Sequence, residues 1–437
     1  MKKIILGLLI VILGCSACGT KEEVLVQVVE EIEEESLEVV EAAVMKEIDY
    51  SALIEEMELN GIEHAFLYWV YEMYPDEFVD FYEASVENYG DELWHDCFGQ
   101  SYIVLLDQYH GNNESIIKDG NTISFVGDIS FADNYMGGQA YDEREEGTLG
   151  LFSSEVLDYF ENSSLVVANA EFAVGEGGTP IEGKAYTFLG GADKAAIFNE
   201  INIELVTLAN NHIYDYGAEV FSQTLAIYEE LGIQTIGAGE NIEEASKASY
   251  YVINGYKFAF VNANRSEKYI LTPEATEDSP GVVRCYDPEY FISMIEAEDE
   301  KADYVVAMIH WGTEYSDVIE DVMLETSHYY IDAGADVIIG HHAHVLQGIE
   351  YYDGKPIFYN LGNFLFNEKT LDTGCVTLEV DDEGILNYTF LGALQQDVYT
   401  DFIYGESLQL LFDKINSCSI NAYIDGDGNV LPDKDNS

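Results

Sequence analysis

Positive charge is what this chain has least of. Against 83 aspartates and glutamates stand 18 lysines and arginines, a formal net charge of −65. Such a chain repels nucleic acid and anionic membrane faces, and no basic patch offers either one a footing. Paired cysteines are also missing. Past the two cysteines at the leader, Cys15 and Cys18, the four that remain form no CxxC and no zinc spacing, which removes the zinc-finger and zinc-ribbon frameworks. Cys97, Cys285, Cys375 and Cys418 leave two readings open, pairing in an exported protein or burial as free thiols. No GxGxxG follows a strand, and "GAGEN" at Gly237 lacks the third glycine, so a dinucleotide fold is excluded. "DGDGNVLPDKDN", from Asp425, has no glutamate at its twelfth position; it reads as a turn and not as a calcium loop. The apolar run Ile4 to Leu13 falls well short of the ~20 residues that span a bilayer.

That run has another reading. Lys2 and Lys3 precede it and "ILGC" closes it at Cys15, the layout of a secretory signal. Residues 1–18 are expected to be a lipoprotein-type signal, with Cys15 as the acylated anchor and Cys18 as the second candidate. The protein would then be extracytoplasmic and held to the cell membrane by lipid, since two acyl chains hold far better than one. Residues 19–47 mix apolar triplets with acidic runs and read as a stalk. Residues 48–119 carry helical periodicity and many aromatics, with Pro75 separating two helices; this predicts a small helical domain.

From Thr122 short apolar runs alternate with longer helical patterns. "TISFVGD", "SLVVANAE", "IELVTLANNH", "ADYVVAMIHWG" and "ADVIIGHHAH" are continuous apolar strands of the kind that helices cover on both sides. "TGCVTLEVDDEGILNYTFLG" alternates like an antiparallel hairpin. Residues 120–395 are therefore expected to form a layered α/β domain, with 396–437 as a C-terminal extension.

Polar residues stand where these strands end. Asp128, Glu171, Asn210 to His212, His310, and His342 with His344 each follow an apolar run. Ligands in open α/β sheets bind at the carboxyl ends of strands. Two carboxylates, a carboxamide and three imidazoles suit Mn, Zn or Fe. Asp128, Glu171, Asn211, His310, His342 and His344 are too many for one tetrahedral zinc. They fit one or two divalent ions sharing a carboxylate, an arrangement that clamps phosphate and activates water.

"FVGDISF", "NAEFAV", "ANNHIYDYGAE", "IHWGTEY" and "GHHAHVLQGIEYYDGKPIFYNLGNFLF" together resemble the CapA-type family of poly-gamma-glutamate synthesis and capsule proteins. That family is similar in fold to the calcineurin-like metallophosphoesterases. The resemblance covers Thr122 to Leu394 and implies a β-sandwich flanked by helices. It matches Asp128 to the first aspartate of the phosphoesterase pattern and puts Ser130 where a histidine is expected. It sets Glu171 in place of the bridging aspartate, and matches Asn211, His212, His310, His342 and His344 to the remaining positions. His341 falls in a variable place. The resemblance further implies a hydrolase-type site serving an anionic polymer or phosphoester substrate, with membrane polymer synthases as partners. A non-catalytic, metal-dependent accessory of polymer binding, assembly or export is the alternative.

His212 is needed by neither metal, and a positioned imidazole can protonate a leaving oxygen near neutral pH. Asp215 is expected either to orient that ring or to cap the helix starting near Tyr216. Arg265 and Arg284, rare cations here, are candidate contacts for an anionic substrate or members of ion pairs. Glu314 and Tyr315 stand just past His310, and "YNLGNF" (Asn360, Gly362, Asn363) reads as a shaped turn under the site.

Overall fold

The computed structural model describes residues 75–90, 101–110, 115–267 and 271–433, with a few single positions between 67 and 99. The expected signal, stalk and Cys15 lie outside the described residues. The chain divides into two units, Met1–Gly111 and Asn112–Ser437.

In the first unit, helix α1 (Pro75–Tyr89) starts at the proline, which costs no hydrogen bond at a first turn, and α2 (Ser101–Tyr109) follows. Trp94 is buried, with Tyr82 and Phe98 rings 5.3 and 5.2 Å from it. Its indole N–H donates to Ser85 Oγ. This aromatic cluster is a core.

The second unit holds two large sheets. Its strands are β1 (Ser115–Lys118), β2 (Thr122–Ile129), β3 (Leu165–Ala170), β4 (Leu205–Thr207), β5 (Gln234–Ile236), β6 (Ser249–Ile253), β7 (Tyr256–Asn264) and β8 (Tyr304–His310). There follow β9 (Val337–His341), β10 (Ile349–Tyr352), β11 (Lys355–Phe358), β12 (Asn363–Leu365), β13 (Leu371–Val380), β14 (Leu386–Gln395) and β15 (Thr400–Phe402). One sheet runs β1-β6-β7-β8-β9-β11-β10; the other runs β15-β14-β13-β2-β3-β4-β5, with β12 also on β2.

Period-2 side-chain alternation explains why both faces of each sheet are apolar. In β8, Val306 and Met308 enter the core between the sheets, where they meet Phe125, Val167 and Leu378. Val305, Ala307 and Ile309 face the other way, onto Phe291 and Tyr330 from the helices Glu289–Asp299 and Asp321–Asp332. On the opposite sheet Val166, Ala168 and Val206 meet Phe160, Phe198 and Phe221 from three further helices. The result is a β-sandwich with helices on both outer faces, the layered α/β architecture expected.

Two boundaries differ from the sequence expectation. β1 pairs in parallel with β6, so the sandwich begins before residue 120. Residues 396–433, the described part of the expected C-terminal extension, pack into the domain. β15 borders β14, and the helix Gly405–Cys418 puts Leu411, Phe412 and Ile415 into the inter-sheet core. The apolar spacing of that helix was visible in sequence, but not the groove it fills. β13 and β14 form the expected antiparallel hairpin. Asp425 Oδ1 accepts the N–H groups of Asp427 and Asn429, which makes "DGDGN" a turn. Cys285, Cys375 and Cys418 are free thiols. Among the described residues no helix is long and apolar enough to cross a membrane.

Candidate metal centre

Strands β2, β3 and β4 run parallel in one sheet, and β8 and β9 run parallel in the other. Their carboxyl ends bring together Asp128, Glu171, Asn211, His310, His342 and His344, all buried. Local irregularities aim these side chains. The β2–β3 register slips between Phe125 and Asp128, a bulge-like device that changes which face a residue meets. Val126 and Ile129, three apart, accordingly both join the helix-covered core, which leaves Asp128 to the site. Gly127 is required there, because a Cβ would lie 1.9 Å from the Gly362 carbonyl oxygen. His342 and His344 adopt φ of 92° and 59°, a region costly for a side chain with a Cβ and typical of functional sites.

The six residues fall into two groups. Glu171, His310 and His342 can each offer an atom to one point, and Asp128, Glu171 and His344 to another, with the atoms of each group within 4.8 Å of one another. Glu171 belongs to both. Its Oε2 accepts a bond of 3.1 Å from Asn169 Nδ2, but its Oε1 is buried with no hydrogen-bond partner. That oxygen lies 3.8 Å from His310 Nε2, 3.8 Å from His344 Nε2 and 3.9 Å from His212 Nε2. Asn211 Oδ1 and His342 Nδ1 also converge on His310 Nε2, at 2.7 and 3.1 Å. So many inward-facing acceptors around an orphaned carboxylate oxygen fit shared divalent cations, because a buried charge is retained only when paired or coordinated.

The electrostatics agree. Burial, then the Asp128 carboxylate and Glu314, push the Glu171 carboxyl well above its usual range. Burial also raises Asp128, but the bond from His344 and the nearby His341 outweigh it, and the group lies below its usual range. Burial and the neighbouring imidazoles drive His310 well down, and burial with His344 takes His342 to about 3. Both rings are therefore neutral at physiological pH, the form in which imidazole ligates.

A second layer holds these groups. Asn169 Nδ2 also donates to Asp128 Oδ1 at 2.8 Å, so one carboxamide grips both carboxylates. Asn363 Oδ1 stands 2.6 Å from His344 Nδ1. Asn360 Oδ1 accepts the Gly362 N–H, and the Gly362 carbonyl accepts the Asp128 N–H at 2.9 Å; "YNLGNF" is the turn beneath the site. His341 faces elsewhere, its Nε2 3.1 Å from the Val126 carbonyl. Ser130, at the position where a histidine was expected, is buried with an unpartnered hydroxyl.

His212 Nδ1 lies 2.7 Å from Asp215 Oδ2 and its ring packs 4.2 Å from Phe188. The helix after Asp215 starts at Ala218, and its N-cap, Gly217, makes no side-chain cap. Of the two roles considered for Asp215, the geometry gives ring orientation. Tyr315 lies at the mouth, 5.6 Å from the His344 ring and beneath Lys369 Nζ at 3.4 Å.

Arg265 and Arg284 bond to backbone carbonyls. Arg265 donates to the carbonyls of Cys285 and Tyr286, and Arg284 to those of Glu267 and Thr272. Together they tie residues 265–267 and 272 to residues 284–286. The cation that does reach the His212 side is Lys184, bonded to Asp215 Oδ1 at 2.5 Å. Sequence reasoning missed Lys184 and Asn169. Asn169 had a signal, since in a strand it shares a face with Glu171 two residues on. Lys184 had only its rarity.

Residues 122–368 match the family model described as bacterial capsule synthesis protein PGA_cap. A Bacillus subtilis PGA biosynthesis protein, CapA, is 36% identical over 197 residues, 44% of this chain and 51% of that protein. The Bacillus anthracis capsule biosynthesis protein CapA is 34% identical over 192 residues, 42% of this chain and 46% of that protein. A Mycobacterium tuberculosis protein named a probable polyglutamine synthesis accessory protein is 28% identical over 220 residues, 48% of this chain and 58% of that protein. The chain thus spans about half the length of the curated relatives it matches. Among solved structures, a hypothetical protein from Thermus thermophilus aligns with 63% of this chain and 99% of its own, at 15% identity and TM-score 0.39. A 5'-nucleotidase from Candida albicans aligns with 62% of this chain and 51% of its own, at 11% identity and TM-score 0.34. Scores this low bear neither on the fold nor on the reaction.

Proposed function

The chain belongs to the bacterial capsule synthesis PGA_cap family, and from that premise we propose that it serves poly-gamma-glutamate or capsule polymer biosynthesis through a hydrolase-type divalent-metal site. The observation that carries the metal part is the buried, unbonded Oε1 of Glu171, a residue that belongs to both ligand groups. Glu171, Asn211, His310 and His342 would hold one ion, and Asp128, Glu171 and His344 the other, with Mn, Zn or Fe suited to the donors. Such ions supply Lewis acidity toward a phosphoester or related bond and lower the pKa of water. The chain's own residues do the rest. Asn169 and Asn363 fix ligand orientation. Asp215 holds the His212 ring by Nδ1, which leaves Nε2 toward Glu171 and free to deliver a proton to a leaving oxygen.

A second reading is favoured by Ser130. With serine where a histidine would complete the Asp128 group, one position keeps three ligands, which suits a non-catalytic, metal-dependent accessory of polymer binding or export. The mycobacterial relative carries the word accessory in its name. Under either reading the partners would be an anionic polymer or phosphoester and membrane polymer synthases. The protein would face outward, anchored through Cys15; diacylglyceryl-cysteine on the N-terminal peptide in mass spectrometry would support this, and a free amino terminus at a later residue would defeat it.

Comparison of H212A with H310A separates the readings. A hydrolase predicts that H212A keeps its metal yet loses cleavage of an aryl phosphate or the polymer. An assembly role predicts that H212A still supports polymer export in cells, whereas H310A does not. Wild-type behaviour of both variants in both assays would overturn the two readings together.

A further inference from the structure

Lys184 is a buried ammonium in a chain short of cations. Its side chain is 2% exposed. It lies between Gly175 and Phe188, in the excursion that links β3 to the helix Ala192–Glu200. Nζ reaches three acceptors on three sides: Asp215 Oδ1 at 2.5 Å, Glu267 Oε2 at 2.9 Å and the main-chain carbonyl of Asn211. An ammonium has three N–H donors, so all are used. A buried charge needs that complete a set of partners.

Two of these partners adjoin the functional side chains. Asp215 is saturated on both oxygens, Oδ1 by Lys184 and Oδ2 by His212 Nδ1 and the Phe188 N–H, each at 2.7 Å. The carboxylate cannot swing without breaking the Lys184 bond. The Asn211 carbonyl belongs to the peptide that joins the carboxamide ligand to His212. Lys184 therefore holds that peptide from one end and the imidazole, through Asp215, from the other. Thr272 Oγ1 lies 3.1 Å from the same carbonyl and 2.9 Å from Glu267 Oε2, which closes a ring of contacts around the ammonium. A guanidinium is a flat fork suited to one planar partner; a compact point charge with three rotatable donors suits three acceptors in different directions.

We propose that Lys184 is a positioning residue for His212: by fixing Asp215 and the Asn211 carbonyl together, it keeps Nδ1 of the ring on Asp215 and Nε2 toward Glu171. Any catalytic consequence rests on the function proposed above; the positioning does not.

The test reads the ring directly, in the full metal-free chain at pH 7 carrying ¹⁵N-histidine. The His212 Nδ1 proton is assigned by its loss in H212Q. Wild type is expected to show this proton as a sharp downfield resonance in slow exchange. In K184M it is lost to exchange with water, while the His344 ring held by Asn363 keeps its signal. K184R, which restores the charge, recovers the resonance at least in part. E267Q, which leaves the Lys184–Asp215 bond in place, keeps it. If K184M does not fold, K184Q replaces it with the same expectation. An unchanged His212 resonance in folded K184M or K184Q overturns the proposal, as does equal loss in E267Q. Hydrolysis is not read here, so a wild type without turnover defeats the hydrolase reading and leaves this result standing.

Discussion

Asn363 Oδ1 lies 2.6 Å from His344 Nδ1, and this contact, with Asp128 Oδ2 3.4 Å from the same nitrogen, leaves Nε2 as the nitrogen facing Glu171. Removing the carboxamide frees the ring without touching a ligand. N363L is expected to weaken the Asp128–Glu171–His344 position by roughly 10–100-fold, the usual cost of losing such support. Titration calorimetry with Mn²⁺ or Zn²⁺ should show that position weakened and the His310–His342 position unaltered. Equal loss at both would refute this division of labour.

The two positions should differ in the intact protein as well. One has Glu171, Asn211, His310 and His342; the other has Asp128, Glu171 and His344, with Ser130 contributing at most a hydroxyl. A titration is expected to show one tight ion followed by a weaker one. H342A should abolish the tight step, and H344A only the weak one. Since ligand binding stabilises the folded state, saturation at about 100 times Kd should add roughly 2.7 kcal/mol, visible as a higher Tm that chelation reverses. A single uniform step in wild type would contradict the inequality.

Asp215 should matter to turnover more than to metal content. In D215N the side chain must offer one oxygen to Lys184, Phe188 N–H and His212 Nδ1, where the carboxylate offers two. The hydrolase reading expects kcat to fall by about 10²–10⁴, the typical share of a proton-transferring group, with KM and bound metal little changed. Loss of metal in D215N would instead make the residue part of the ligand scaffold.

Much of this was legible in the chain itself, and the legible part has one cause. Strands buried on both faces write themselves as unbroken apolar runs, so the polar residue that ends each run stands out: Asp128, Glu171, Asn211, His310, His342. Asn363 was visible as part of a turn, but not as the partner of His344, because the eighteen residues between them fold back only through β10 and β11. Lys184 sits in an excursion with no periodicity to read, and its partners lie 27, 31 and 83 residues away. Arg265 and Arg284 present the opposite case. Scarcity made them conspicuous, yet backbone carbonyls, which no sequence pattern advertises, are what they bind. The place of residues 396–433 was equally hidden, since an amphipathic helix shows that it has an apolar face but not which core receives it.

Acid should unfold the metal-free protein partly through His342. Burial holds its folded pKa at about 3, against 6.5 for the unconstrained side chain. Between those values the unfolded chain carries a proton that the folded chain does not. Stability from this group is complete above about pH 6.5 and is lost as pH falls toward 3, with a slope of about 1.4 kcal/mol per pH unit per proton. His310 acts in the same direction. Glu171, raised by burial, acts oppositely: folding is favoured where it is protonated, and that contribution fades as pH rises from the usual carboxylate range toward its folded value. Glu171 is present in both wild type and H342N and its contribution largely cancels in the difference, while His310 keeps the part of its shift that burial causes and loses the part due to His342, which adds to the same change. Urea unfolding of the chelated proteins between pH 6 and 4 is expected to give H342N a shallower loss of stability than wild type, by roughly one proton's slope. Parallel curves would mean that His342 is protonated in the folded state too, and a cluster built to hold neutral imidazoles would then have to be abandoned.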